Sequence, residues 1–387
     1  MRRATTAVAA AATALLLAAS PAAAHGGKPS PKPPTITDVA TGLVTPLSAA
    51  AGAKGTSYVT QNFAGLLTEV DRHGDTTVLY ASANGEEVGG VSYRDRRLTF
   101  TETLIDDASG PVASSIKTLR LDKKGNPTGE ARTLADIRAY ENANNPDGDV
   151  TYGFRDVDQA CLDQAPPDGI PVRYQGIEDS HPYATTQARG TTYVADAGMN
   201  AILSVSDRGR VRTVAVLPAQ PAVVTAQAAA MFGLPDCVVG ETYWFEAVPT
   251  DVEVGPWGQL YVSTLPGGPE DDSLGARASV YRVSPWSGSV RKVAGGFLSA
   301  TNLAVSPKGD VYVAEMFANR ISMVRHGGPR TVVAIDVPGA VEWSGKGLLA
   351  TANAFDPTAG PQDPPQGTLV SIDLHAKHHG HHGHHRH

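Results

Sequence analysis

The chain has 387 residues, 41% hydrophobic and 18% charged, with 40 Gly, 28 Pro and only 2 Cys. That composition belongs to a globular protein and excludes both a disordered chain and a disulfide-dense scaffold. The formal net charge is -7, and no run of Lys and Arg is dense enough to grip phosphates, so nucleic acid is not an expected partner.

Residues 1–24 read as a secretory signal, with Arg2 and Arg3 as the charged start, Val8 to Ala19 as the apolar run and Ala22-Ala23-Ala24 as the cleavage site. The competing reading, a membrane anchor, needs about 18 or more apolar residues, whereas this run is about 12 long and Pro21 follows it. No later segment is long enough to span a bilayer, so a secreted, monomeric protein is expected. In an oxidising compartment Cys161 and Cys237 would pair, and two buried free thiols are the alternative.

After a Pro-rich lead over 25–34, Ile36 to Thr41 (ITDVAT) forms a lone strand. Then one pattern repeats: an alternating run, a Gly turn, a run of the type x-Y-V-x, and two more runs around a second Gly turn. Copies begin near Pro46, Val88, Tyr183, Thr250 and Thr301; the last is the clearest, with NLAV, SPKG, DVYVAE, ANRISMV, HGG and RTVVAI in succession. A sixth unit, Gly339 to Leu374, lacks its fourth strand, which Ile36 to Thr41 can supply. Six four-stranded units spaced by roughly 40 residues predict an all-β fold, a six-bladed β-propeller over 35–374 whose last blade is closed by the N-terminal strand.

In such a blade the first-to-second and third-to-fourth connections share one face. Here nearly all of these are tight Gly turns. The long segments, 135–180, 218–248, Leu265 to Arg277 and Ala354 to Gln366, are read as loops and fall on the other face. Loops this long are commonly functional, so that face is the expected ligand or partner site. One cysteine lies in each of the two long crossovers, so a bond between them would make a rigid lid.

The stretch Val248 to Val283 (VPTDVEVGPWGQLYVSTLPGGPEDDSLGARASVYRV), with NPDGDVTYGF, HPYATT and TTYVADAGMNAILSVS, resembles the ScyD/ScyE family of secreted bacterial proteins, in particular its actinobacterial branch. The repeats are also similar to NHL repeats. The resemblance covers most of the mature chain but carries no catalytic residues with it.

No G-x-S-x-G, H-E-x-x-H, P-loop, dinucleotide fingerprint or C-x-x-C is present. Candidates for the ligand-binding face are therefore polar residues at strand ends: His181, Asp196, Asp251, Asn302, Glu315, Glu342 and Asn353, with Gln61 and Glu102 in equivalent places. Asp251, Asn302, Glu315 and Glu342 could hold Ca²⁺ or Mg²⁺ at the axis, since hard cations take oxygen donors. Against this, Asp196 with Asn200 and Glu315 with Asn319 repeat as acid-x-x-x-Asn, which suits turn capping better. Asn142 to Asp149 (NANNPDGD) resembles a fragment of a Ca²⁺ loop without its closing Glu, and an Asx-rich turn is the favoured reading. Tyr152, Tyr243, Trp244 and Phe245 suit either a stacked ligand or packing of the lid. The tail 375–387 carries His378, His379, His381, His382, His384 and His385, which could chelate Zn²⁺, Ni²⁺ or Cu²⁺.

These readings lead to a first expectation, a secreted non-catalytic scaffold that binds a small molecule or extracellular protein on the long-loop face. Two alternatives stand beside it. One is a gluconolactonase-like metal-dependent lactone or ester hydrolase at the axis; the other is transition-metal capture by the tail.

Overall fold

The computed structural model describes residues 33–106, 110–269, 273–360 and 363–374. These residues are mostly strand and form seven four-stranded antiparallel sheets. The expected signal segment, most of the Pro-rich lead and the histidine tail lie outside the described residues. Among the described residues no helix is long and apolar enough to cross a membrane.

Six sheets share one plan. Their first strands, Ser48–Ala51, Glu87–Arg94, Pro182–Ala188, Pro249–Val254, Ala300–Val305 and Val341–Trp343, touch in that order, and the last touches the first. They form a closed ring from which each sheet extends outward, strand by strand. The sixth sheet has three strands of its own and takes its fourth from the N-terminus. Thr35–Leu43 pairs with Gly367–Asp373, from Thr35 opposite Asp373 to Leu43 opposite Gly367.

There is no common core. Alternating strands are apolar on both faces, and each gap between neighbouring sheets is filled separately. Leu43 and Leu369 meet Val59 and Val70 at the closure, and Leu67 meets Phe100 in the next gap. Ile116 then meets Leu203, Ile202 meets Val262, Val280 meets Leu303, and Ile321 meets Val370. The ring strands approach most closely at Gly90. Its φ is +50°, and a Cβ there would lie 2.9 Å from the Ala184 Cα, so only glycine fits.

The seventh sheet corrects the sequence reading, which treats the two long crossovers as loops. Arg173–Gln175, Thr151–Phe154, Thr242–Phe245 and Gln220–Val223 pair in that spatial order, two strands from each crossover. The runs are too short and too distant in sequence to signal pairing locally. Phe154, Leu162, Val224, Val238 and Tyr243 give this sheet a core of its own. Cys161 and Cys237 are bonded beside it, with Cα atoms 6.1 Å apart. The aromatic residues considered for stacking serve this packing: Tyr243 contacts Phe154 and Phe245 and donates its hydroxyl to the Pro171 carbonyl, while Arg155 covers Trp244.

Leu369→Ala should cost about 2–5 kcal/mol in urea denaturation because it empties the closure gap, whereas Ile36→Ser, on the exposed flank of the closing strand, should stay within about 0.5 kcal/mol. Replacing both Cys161 and Cys237 by Ser frees a link across 76 residues, worth about 4 kcal/mol in the chain-entropy treatment. Limited proteolysis should then cut first within 145–175 and 218–248.

Candidate active site

Each ring strand is the inner edge of its sheet, so half its backbone groups face the axis without a ladder partner. Side chains of neighbouring ring strands supply the partners. The Val91 N–H donates to Ser48 Oγ, Leu303 N–H to Asp251 Oδ2 (2.8 Å) and Val341 N–H to Asn302 Oδ1 (2.8 Å). In the other direction Thr185, Thr250 and Thr301 donate to the carbonyls of Gly90, Ala300 and Gly339. Asp251 also accepts the Val252 N–H on Oδ1. Asp251 and Asn302 therefore hold one sheet to the next.

A second set of sequence candidates fixes where ring strands begin. Gln61, Asp196 and Glu315 accept the N–H groups of Val44, His181 and Leu298, each just before its own ring strand. Glu315, fully buried, is further engaged by Arg320 and Ser322. In the next turn Asn200 and Asn319 take positive φ and accept the N–H groups of Val248 and Val337. Asn353 has the same backbone conformation and is exposed. Glu102 lies elsewhere, against Lys117 and Tyr80.

Glu342, alone of the four axial metal candidates, lines an axial cavity. It does so with Glu253, which the sequence reading passed over although the spacing D-V-E sets it two residues from Asp251 on one strand. The cavity, about 100 Å³, is completed by Ser92, Arg94, Thr186 and Gln187, at the turn end of the ring strands. Thr186 donates to Glu253. Burial holds both carboxyls above the usual carboxylate range, and the neighbouring acids reinforce this: Glu342 and Asp251 act on Glu253, and Asp251 acts on Glu342. Two interacting carboxyls withdrawn from bulk water do not both ionise readily near neutral pH. Among the described residues no three His, Cys, Asp or Glu are gathered as a metal-ligand set. With both Asp251 oxygens engaged by backbone N–H groups, the axial acids do not fit a divalent cation.

Arg94 and Gln187 also line a neighbouring groove of about 320 Å³ with Arg97, Arg120, Arg189 and Asp207, and Arg208, Arg210 and Arg212 lie around the next depression. The sequence does not show the groove because it gathers arginines from three places in the chain, the turn Arg94 to Arg97, Arg120 and Arg189, with Arg208 to Arg212 beside it. Arg97 is braced by Gln187 and Asp207.

At the opposite, crossover end of the ring, His181 Nε2 lies 2.9 Å from Glu87, whose other oxygen accepts from Asn62. Burial works against charge on both groups, but their mutual hydrogen bond and attraction outweigh it, raising the His181 pKa and lowering that of Glu87.

No family model matches the chain, and no curated protein matches it. Solved structures do. An aldose sugar dehydrogenase from Streptomyces coelicolor, solved with PQQ bound, is 14% identical with a TM-score of 0.51, over 89% of this chain and 100% of that one. The soluble aldose sugar dehydrogenase of Escherichia coli gives 11% and 0.51 over 88% and 99%. A luciferin-regenerating enzyme gives 9% and 0.50 over 88% and 95%. The fold is a β-propeller. The expectation of a non-catalytic scaffold is corrected here, since the solved propellers that this chain is similar to are mainly enzymes.

The His181–Glu87 pair gives a pH signature. The contribution of a raised His is lost as pH climbs through its folded pKa, and that of a lowered Glu is lost as pH falls through its own. Thermal melts of the wild type against Glu87→Gln should therefore differ most between about pH 4.5 and 6.5, the unperturbed values, and converge on either side.

Proposed function

We propose that the six ring sheets are the six blades of one propeller over 35–374, and that it is an enzyme: a hydrolase of small lactones or esters carrying an anionic group. The observation that carries this is the Glu253 and Glu342 carboxyl pair facing one axial cavity beside Arg94. At neutral pH one carboxyl keeps its proton and serves as general acid to the leaving alkoxide. Its ionised neighbour takes a proton from the water that attacks the carbonyl carbon. The Arg94 guanidinium stabilises the oxyanion that develops on the carbonyl oxygen.

A cavity of about 100 Å³ matches about three waters, enough for the attacking water and the reacting carbonyl. The rest of the substrate would extend into the arginine-lined groove, which favours a carboxylate or phosphate substituent. The same cavity lies well under the about 300 Å³ of usual cofactor pockets, so it does not fit a bound quinone such as the Streptomyces coelicolor enzyme carries. The ScyD/ScyE kinship and secretion, suggested by the Val248 to Val283 block and residues 1–24, form part of this proposal, and the disulfide supports an oxidising compartment.

A panel of lactones and nitrophenyl esters, with and without an acidic substituent, tests the reading. Turnover should favour the anionic substrates. Glu253→Gln and Glu342→Gln should each lower kcat by about 10²–10⁴ with unchanged circular dichroism. Because burial raises both carboxyls, the general acid should persist above the ordinary carboxylate range and activity should fall as rising pH removes its proton. Turnover indifferent to both substitutions would sink the assignment, as would a panel without any turnover.

A further inference from the structure

The segment Glu141 to Asp147 contains four buried acceptor oxygens without a well-formed hydrogen bond: Asn145 Oδ1, Asp147 Oδ1 and both carboxylate oxygens of Glu141, which the Asp179 N–H approaches while donating to the Ile177 carbonyl. Glu141 is 0% exposed and Asp147 1%. Unsatisfied buried acceptors are costly, and charged ones more so. Four in seven residues, all of one polarity, need a common explanation.

Their surroundings hold them in place. Glu141 lies in the helix Ile137–Asn144, and Asn145, at φ 34°, caps its C-terminal end. The other oxygen of Asp147 accepts from Tyr152 (2.8 Å) and from Asn200 (2.9 Å). The Asn145 amide donates to the Gly176 carbonyl, and a Cβ at Gly176 would come within 2.5 Å of Asp147 Oδ1. Asn145 and Asp147 thus abut the same bare backbone. Glu141 senses the charges of both Asp147 and Asp196.

We propose that Glu141, Asn145 and Asp147 bind a calcium ion within the first crossover, holding its helix Ile137–Asn144 to the turn that follows. A proton on Glu141 would still leave the Asn145 and Asp147 oxygens without a donor, whereas a hard cation is served by acceptor oxygens alone. Calcium takes six to eight oxygens, mixing carboxylates, Asn amides, carbonyls and water. Two carboxylates and an amide meet that pattern without a cluster of three acids. The site is separate from the axial cavity and does not depend on the hydrolase reading.

The full chain is stripped with EGTA, re-equilibrated with calcium chloride and desalted; bound calcium is then measured by atomic emission, and thermal melts are run in EGTA and at about 1 mM calcium. One ion per chain is expected, with a melting temperature about 2–4 °C higher if calcium stands at about 100 times its Kd. Glu141→Gln and Asp147→Asn should lose ion and shift, while Glu342→Gln keeps both. If a variant fails to fold, limited proteolysis of the wild type carries the test: calcium should protect the first crossover from cleavage. Wild type that retains no calcium and shows no shift overturns the proposal. So does calcium that survives Glu141→Gln and disappears in Glu342→Gln, which would place the ion on the axis. Glu141→Gln stabilising a calcium-indifferent protein also overturns it and identifies Glu141 as a buried neutral acid.

Discussion

Everything in this fold depends on one exposed-edge problem at the centre of the molecule. A sheet that radiates from an axis leaves the inner edge of its first strand unpaired. Six such edges meet in the ring and cannot pair by backbone, because each lies beside a neighbour's edge at an angle rather than in register. The chain resolves this with short polar side chains on the ring strands. Ser48, Asp251 and Asn302 accept from the next strand, and Thr185, Thr250 and Thr301 donate to a neighbour's carbonyl. Closure by Thr35–Leu43 makes the ring complete. Without it, the sixth sheet would end in an open three-stranded edge and the first gap would lose Ala40 and Leu43.

The same constraint explains why acids on the ring face are poor guides to chemistry. A carboxylate there has backbone N–H groups to satisfy, and once it does so its oxygens are committed. Asp251 illustrates this: it is buried, and both its oxygens accept backbone N–H groups. Glu253 and Glu342 differ because they stand at the turn end of their strands, where the ring opens into a cavity. Burial raises all three carboxyls, Asp251 to about 7 despite its two backbone donors, so the cavity that Glu253 and Glu342 line is what sets them apart. Position along a ring strand, more than residue type, separates the acid that ties sheets together from the acid that faces the cavity.

That distinction marks how far the sequence could be read. The strand units are legible because Gly turns and x-Y-V-x runs recur with a fixed spacing, and the missing fourth strand at Gly339 to Leu374 points to its donor at Ile36 to Thr41. The acid-x-x-x-Asn repeat is legible for the same reason, but its partners are not, since Asn200 and Asn319 accept from Val248 and Val337, far along the chain. The seventh sheet is not legible: TYGF and TYWF are four-residue strands from different crossovers, and nothing local says that they pair. Nor is the arginine-lined groove, because Arg94, Arg120 and Arg189 come from turns of different strands. Glu253 was within reach, since period-two spacing puts it on the same strand face as Asp251. The orphaned oxygens of Glu141 are a fact of burial alone.

The two ends of the ring are thus built for different tasks. At the crossover end, the disulfide, the seventh sheet and the His181–Glu87 pair tie long segments down, and the polar groups there mostly have partners within the protein. At the turn end the connections among the described residues are short. Arginines projecting from those turns reach the rim directly, giving an open, positively charged approach on a chain whose net charge is negative. Such a field concentrates anions at the mouth. The carboxyl pair behind it is partly neutral because of burial, so it does not repel the arriving anion as two full charges would. Among the described residues, long connections are tied down at one end of the ring, short ones bound the other, and the proposed carboxyl pair stands at the end with short connections.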